Sequence, residues 1–169
     1  MYVFLPFLLL KRGISPAFLG TFTAAFFVGN FFGKTALGRF VDKFGSTKVF
    51  VLSELLMAVF IFLLANSTAP ILIIGCSAVL GVFTKGTVPV MQAMVSESVE
   101  HHGNFEKAFG VVAFGTSTAV TIVPLLLGYI SDRLGIVSAF NVMAAVALIA
   151  VIPATAYFFV KPPSQSTAS

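Results

Sequence analysis

"GRFVDKFGSTKVF", residues 38–50, is a short charged stretch that lies between two long apolar runs. A second stretch, "GYISDRLGIVSAF", residues 128–140, has the same spacing of glycine, aspartate, glycine and phenylalanine. Each pair of matching residues is 90 positions apart, and a fixed interval of this kind indicates an internal repeat. The matching positions are Gly38, Asp42, Gly45 and Phe50 in the first stretch and Gly128, Asp132, Gly135 and Phe140 in the second.

The composition is that of a membrane protein. Of the 169 residues, 58% are hydrophobic and 9% are charged, whereas soluble domains carry about 25% charged residues. The mean hydropathy of +1.04 exceeds what a soluble core of this size can bury.

The net charge of +4 is expected to lie in loops that orient the chain in the bilayer. The sequence has no basic cluster with interleaved aromatic residues, so we do not expect it to bind nucleic acid. The single Cys76 has no disulfide partner and no metal-site spacing.

Six apolar runs follow one another along the chain. The first is too short to cross a bilayer, which requires about 20 residues, and it resembles the end of a truncated helix. The others are continuous rather than alternating, so they predict helices and not strands. We therefore expect an all-α polytopic membrane bundle of about six transmembrane helices, the first one truncated. The runs cover residues 1–10, 16–38, 47–66, 69–96, 107–130 and 135–160.

The two charged stretches predict inverted repeats. They are separated by three helices, an odd number, so they should lie on opposite sides of the membrane. Residues 1–66 and 69–160 would then be three-helix units of opposite topology, an arrangement found in many secondary transporters. Residues 1–160 would form one six-helix domain, followed by a short disordered cytoplasmic tail at 161–169.

Positive charge predicts the orientation of the bundle. Six loop lysines and arginines fall on the side that holds both chain ends, and three fall on the other. Because cytoplasmic loops are enriched in these residues, both ends should be cytoplasmic, and we expect a bacterial inner membrane. The first group is Lys34, Arg39, Lys43, Lys48, Lys107 and Lys161, and the second is Lys11, Arg12 and Arg133.

The first charged stretch carries a family resemblance. "GKTALGRFVDKFGSTKVF", residues 33–50, resembles the signature loop of the major facilitator superfamily at Gly38, Asp42, Lys43 and Gly45. It departs from that pattern at residues 40 and 41, and Lys48 comes one position later than the usual basic residues. "PLLLGYISDRLGIVSAF", residues 124–140, resembles the pattern that ends the fifth helix of a family half.

The resemblance implies a secondary transporter that moves a small solute by alternating access without a cofactor, driven by a proton or sodium-ion gradient or by the solute's own gradient. Members have twelve helices in two halves, so the partner of this chain would be the missing half. The fourth run lacks the arginine typical of a first half, and only nine residues follow the sixth run, which favours the C-terminal half. Two alternatives stay open: the N-terminal half, and a non-transporting structural or assembly subunit.

The resemblance also implies roles for the charged stretches. The first would form a cytoplasmic gate, in which Asp42 hydrogen-bonds and meets the positive end of a helix. The second would be its outer counterpart. The gate residues are Gly38, Arg39, Asp42, Lys43, Gly45 and Lys48, and the counterpart residues are Gly128, Asp132, Arg133 and Gly135.

Lys85 is the strongest candidate for the solute or coupling pathway. It lies about 16 Å from the cytoplasmic end of the fourth run, where an ammonium costs about 2.5–3.5 kcal/mol. It could bind an anion, form an ion pair, or extend its stem toward the surface. Glu54 could pair with Lys85, accept a proton, or reach the surface.

Weaker pathway candidates are polar residues on other helices. Ser117 and Thr121 are four residues apart on one helix face, and together with Asn30 they could bind solute or another helix. Gly81, Gly86 and Pro89 flank Lys85 and are expected to soften its helix. The adjacent His101 and His102 are not expected to hold a metal. The sequence contains neither a phosphate-binding loop nor a Ser/His/Asp arrangement, so we do not expect an enzyme.

Overall fold

The structure, a computed structural model, describes residues 3–99 and 104–160, and all regular secondary structure in these ranges is helical. Five of the helices are long and apolar enough to cross a membrane, and the first has only seven residues. The predicted all-α membrane bundle of about six helices is thus confirmed. The helices are α1 (Leu5–Lys11), α2 (Pro16–Phe44), α3 (Ser46–Asn66), α4 (Pro70–Val99), α5 (Phe105–Leu134) and α6 (Ile136–Val160).

The charged stretch at 38–50 is not an extended loop between helices. The α2 helix continues past residue 38 to Phe44, and α3 begins at Ser46, so only Gly45 separates them. No proline lies between Gly38 and Gly45, and one glycine together with the charged residues of the stretch is compatible with a helix. The expected end of the second helix at residue 38 was therefore wrong, and the charges lie on the last turns of α2.

Two glycines form equivalent turns. Gly45 has φ 85° and ψ 150°, and Gly135 between α5 and α6 has φ 90° and ψ 156°. Their N–H groups donate to the carbonyls of Val41 at 2.8 Å and Ser131 at 2.9 Å. A positive φ favours glycine, which has no Cβ to clash with the backbone. The two stretches that match in sequence therefore fold as the same turn.

The bundle has two ends, which we name by a residue at each. The Arg12 face holds the α1–α2 connection and the turns that follow α3 and α5. The Asp42 face holds the α2–α3 turn and Asn104, which precedes α5. Successive spans run in alternate directions between the two faces.

Most of the core lies between α1, α2, α3, α4 and α6. Near the Arg12 face it contains Leu8, Phe26, Leu64, Leu80 and Phe140, all at most 1% exposed. A smaller cluster near the Asp42 face joins α2, α3 and α4. The α5 helix contributes to neither cluster, and its single buried residue among those described is Leu127. It leaves a long apolar surface uncovered.

Candidate functional site

Lys85 lies near the middle of α4 with its side chain exposed on the surface of the bundle. It makes no hydrogen bond or ion pair with any described residue. A lone ammonium at this depth is costly in lipid, so it requires water or another protein segment beside it. The structure therefore presents Lys85 on a surface that is open in this chain.

Glu54 lies on the other side of α4, next to a cavity. This α3 residue is 7% exposed, and it lines a space of about 370 Å³ between α3, α4, α5 and α6. The preceding neighbour of Lys85, Thr84, lines the same space, whereas Lys85 does not. The hydroxyl of Thr84 donates to the carbonyl of Leu80 at 2.7 Å. Adjacent residues of α4 thus face two different environments.

No ion pair joins Glu54 to Lys85 in the described structure. The first is buried at the cavity, and the second is exposed outside it. The ion pair between Glu54 and Lys85 that the sequence suggested is therefore not formed. Glu54 does not reach the surface either, which was another possibility suggested by the sequence. The depth of both residues in their helices is as the sequence indicated; their relative orientation depends on how the helices pack.

The glycines that flank Lys85 are packing residues. A Cβ on Gly81 would overlap the carbonyl of Phe26, and one on Gly86 would overlap the side chain of Leu37. The α4 helix remains continuous through Pro89. The glycines thus serve close contact with α2, and the expected softening of the helix stays a prediction.

Asn30 of α2 lies at this close contact. Its backbone nitrogen would be 3.0 Å from a Cβ on Gly81, and its Oδ1 is buried without a hydrogen-bond partner among the described residues. A buried carbonyl oxygen without a donor is unfavourable. The structure thus places Asn30 in the contact that positions α4, rather than on the uncovered side of the bundle.

Ser117 and Thr121 are both exposed on α5. The hydroxyl of Thr121 donates to the carbonyl of Ser117 at 3.0 Å. The bond lies within the helix, so it satisfies that hydroxyl without a second helix. The two residues share a face, as their spacing indicated, and that face is uncovered.

The proposed gate residues lie around the α2–α3 turn, and most are solvent-accessible. Asp42 is exposed on the last turn of α2, and α3 begins without a side-chain cap. Within the described chain, Asp42 therefore caps no helix start by a hydrogen bond. Lys43 lies over the ring of Phe44 at 5.4 Å. The remaining members are half-buried Gly38, exposed Arg39 and Lys48, and Gly45 in the turn itself.

The outer counterpart has the same design around Gly135. Asp132 and Arg133 are exposed, and Arg133 lies 5.6 Å from the ring centre of Tyr129. Gly128 is half-buried on α5. His101, His102 and the predicted tail at 161–169 lie outside the described residues.

Arg12 has a role that sequence reasoning missed. Its guanidinium donates to the carbonyl of Leu64 at 3.0 Å, and also to those of Ala65 and Ser67 at the end of α3. Burial lowers the pKa of Arg12, but a guanidinium stays protonated at neutral pH. Helix C-termini favour nearby cations, so the sequence offered a signal for such a contact. The carbonyls that Arg12 meets in α3 are, however, 52 or more residues away from it in sequence.

Comparison with known proteins agrees with this architecture. The sequence model of the Major Facilitator Superfamily matches residues 1–169. No curated protein matches the chain, and no solved structure does so either. The family transports small solutes across membranes, and the five long apolar helices are those of an integral membrane protein. The chain belongs to the Major Facilitator Superfamily.

Proposed function

We propose that the chain is the C-terminal half of a secondary transporter that moves a small organic anion by alternating access, with Lys85 in the solute or coupling pathway. The observation that carries this proposal is the exposed ammonium near the middle of α4, without an ion pair among the described residues. Carriers of this kind bind solute near the bilayer midplane, between two structural units.

The exposed surfaces support a second half as the partner. In the most apolar part of α5, only 6% of the residues are buried. Lipid could cover the apolar side chains of this helix, but it would leave the ammonium of Lys85 without a counter-charge or water. A second six-helix unit that encloses a water-filled pathway would satisfy Lys85, and solute could then reach it from either side. The coupling ion would be a proton or sodium.

The turn at Gly45 supports a gate on the Asp42 face. Arg39, Asp42 and Lys48 are exposed there, so they are available to a facing unit. A carboxylate stabilises a helix N-terminus by about 0.3–1 kcal/mol at a surface. Asp42 would make this contact with the other half in one state and release it in the other. Asp132 and Arg133 would act in the same way on the Arg12 face.

The test is uptake by membrane vesicles. One set comes from the source cells, where any second half is present, and the other from cells that express the chain alone. Both sets are offered radiolabelled organic anions, sugars and lipophilic cations. We expect uptake of an anion by the first set only. Uptake of no anion by correctly inserted protein, with co-purification of a partner, would favour the assembly-subunit alternative.

Lys85→Ala tests the residue that carries the proposal. Loss of the counter-charge should reduce anion uptake by about tenfold or more, whereas Lys85→Arg should retain part of it. The matched control is Lys107→Ala, which removes an exposed lysine from the first turn of α5 and should leave uptake unchanged. An unchanged rate and affinity in Lys85→Ala would disprove the assignment.

A further inference from the structure

The cavity beside Glu54 is separate from the surface that presents Lys85. It has a volume of about 370 Å³, within the range of about 300–1,000 Å³ typical of small-molecule sites. Apolar side chains of α3, α5 and α6 form most of its wall, among them Met57, Leu127, Met143 and Ala147, and α4 contributes Thr84. Methionine side chains adapt to ligands of different shape. The space is therefore suited to a hydrocarbon body of moderate size.

Glu54 is the one acidic residue among the described residues of this wall. It is 7% exposed, and no hydrogen bond or ion pair joins it to another described residue. The other polar side chain, Thr84, already donates its hydroxyl proton to the carbonyl of Leu80. A buried carboxylate without a partner is costly, so the site favours either a proton on Glu54 or a ligand that brings a positive charge to it.

We propose that this cavity binds a lipophilic monocation, with Glu54 as the counter-charge and the apolar wall around the ligand's hydrocarbon body. The proposal concerns a second site and does not depend on the role of Lys85 in transport. It follows from charge complementarity: one carboxylate in an apolar cavity matches one cationic centre in an apolar molecule.

Two other occupants fit the cavity less well. A metal cation such as sodium or calcium requires several oxygen ligands, and the side chains of the wall in the described part of the chain supply one carboxylate and one hydroxyl. A zwitterionic lipid would bring its phosphate close to Glu54 along with its ammonium, and like charges repel strongly at low dielectric. A free tetraalkylammonium carries neither disadvantage.

The test is equilibrium binding of radiolabelled tetrapropylammonium to the purified full chain in phosphatidylcholine nanodiscs. We expect saturable binding to the wild type. Glu54→Gln keeps the shape of the side chain but removes its charge, and should weaken the affinity by about tenfold or more. Glu54→Asp keeps the charge and should retain much of the affinity.

Matched controls separate the site from general effects. Glu106→Gln removes one negative charge from an exposed position on α5 and should bind like the wild type. Ala147→Leu fills the cavity without touching the carboxylate and should weaken binding. Ala156→Leu adds the same atoms to an exposed position of α6 and should not.

The outcomes are decisive in both directions. Loss of binding in Glu54→Gln and Ala147→Leu, with both controls intact, supports the site. Equal affinity of Glu54→Gln and the wild type would place the cation elsewhere and overturn the proposal, as would a lack of saturable binding to the wild type. If Glu54→Gln does not stay monodisperse, Ala147→Leu decides the question. Because this experiment measures no transport, neither result bears on the proposal for Lys85, which is tested separately by uptake.

Discussion

Arg12 joins the start of the bundle to the end of α3. The last four carbonyls of a helix have no partner within it, and the residues at this helix end, Leu64 and Ala65, are fully buried. Arg12 donates to both of their carbonyls. We predict that Arg12→Ala lowers the free energy of unfolding by about 2–4 kcal/mol, because buried carbonyls lose charged donors. Unfolding of the detergent-solubilised chain, followed by circular dichroism, measures the change.

The control for this residue lies beside it. Lys11 is exposed, and Lys11→Ala should change stability by less than about 0.5 kcal/mol. Arg12→Lys should recover only part of the loss, since one ammonium cannot reproduce the planar fork of a guanidinium. Full stability in Arg12→Ala would show that water satisfies these carbonyls as well as the guanidinium does.

Single residues also show how far sequence reasoning reaches toward the site. The positions of Lys85 and Glu54 along their helices were predictable, because the length of an apolar run places a residue at a depth. The cavity beside Glu54 was not predictable, because its wall combines residues of four helices. Arg12 was missed for the same reason, since its partners are 52 or more residues away. Local patterns predict depth, and packing decides what each side chain meets.

The α2 and α4 helices approach each other closely at glycines. A Cβ on Gly33 would overlap the carbonyl of Val82, and one on Gly29 would overlap that of Ala78. We predict that Gly33→Ala lowers the free energy of unfolding by about 1–3 kcal/mol, the usual cost of forcing an extra carbon into a packed interface. The same denaturation measurement applies.

Gly20 provides an opposite control on the same helix. A Cβ there meets nothing within 4 Å, so Gly20→Ala should raise stability by about 0.5–1 kcal/mol through the better helix propensity of alanine. The opposite signs distinguish close packing from a general effect of alanine on α2. If both variants were stabilised, the two helices would have to separate easily at Gly33.

The helices themselves were largely predictable from sequence. Pro16 and Pro70 are the first residues of α2 and α4, because the fixed φ angle of proline suits the first turn of a helix. The error at the end of α2 arose because charge was taken as the sign of a loop. In fact Arg39, Asp42 and Lys43 are helical, and the helix ends at Gly45, where φ becomes positive. The end of α2 is therefore marked by a glycine that adopts a positive φ, and not by the charged residues before it.

At the scale of the whole molecule, the two faces differ in charge. The Asp42 face and the adjoining end of α2 hold more of the described basic residues than the Arg12 face does. Because positive loops stay in the cytoplasm, we predict that the Asp42 face is cytoplasmic. The residues concerned are Arg39, Lys43, Lys48 and Lys107 on the first side and Lys11, Arg12 and Arg133 on the second.

Cysteine labelling in intact cells tests this orientation. Cys76 is 4% exposed in the core, and Cys76→Ser provides a background in which a single new thiol reports its own side. Thr68→Cys in the α3–α4 turn should react with a membrane-impermeant maleimide added outside. Asn104→Cys before α5 should react only after permeabilisation, although both positions are exposed in the structure. The reverse pattern would show that the charge difference does not orient this bundle, and labelling of both positions from outside would show that it inserts in both directions.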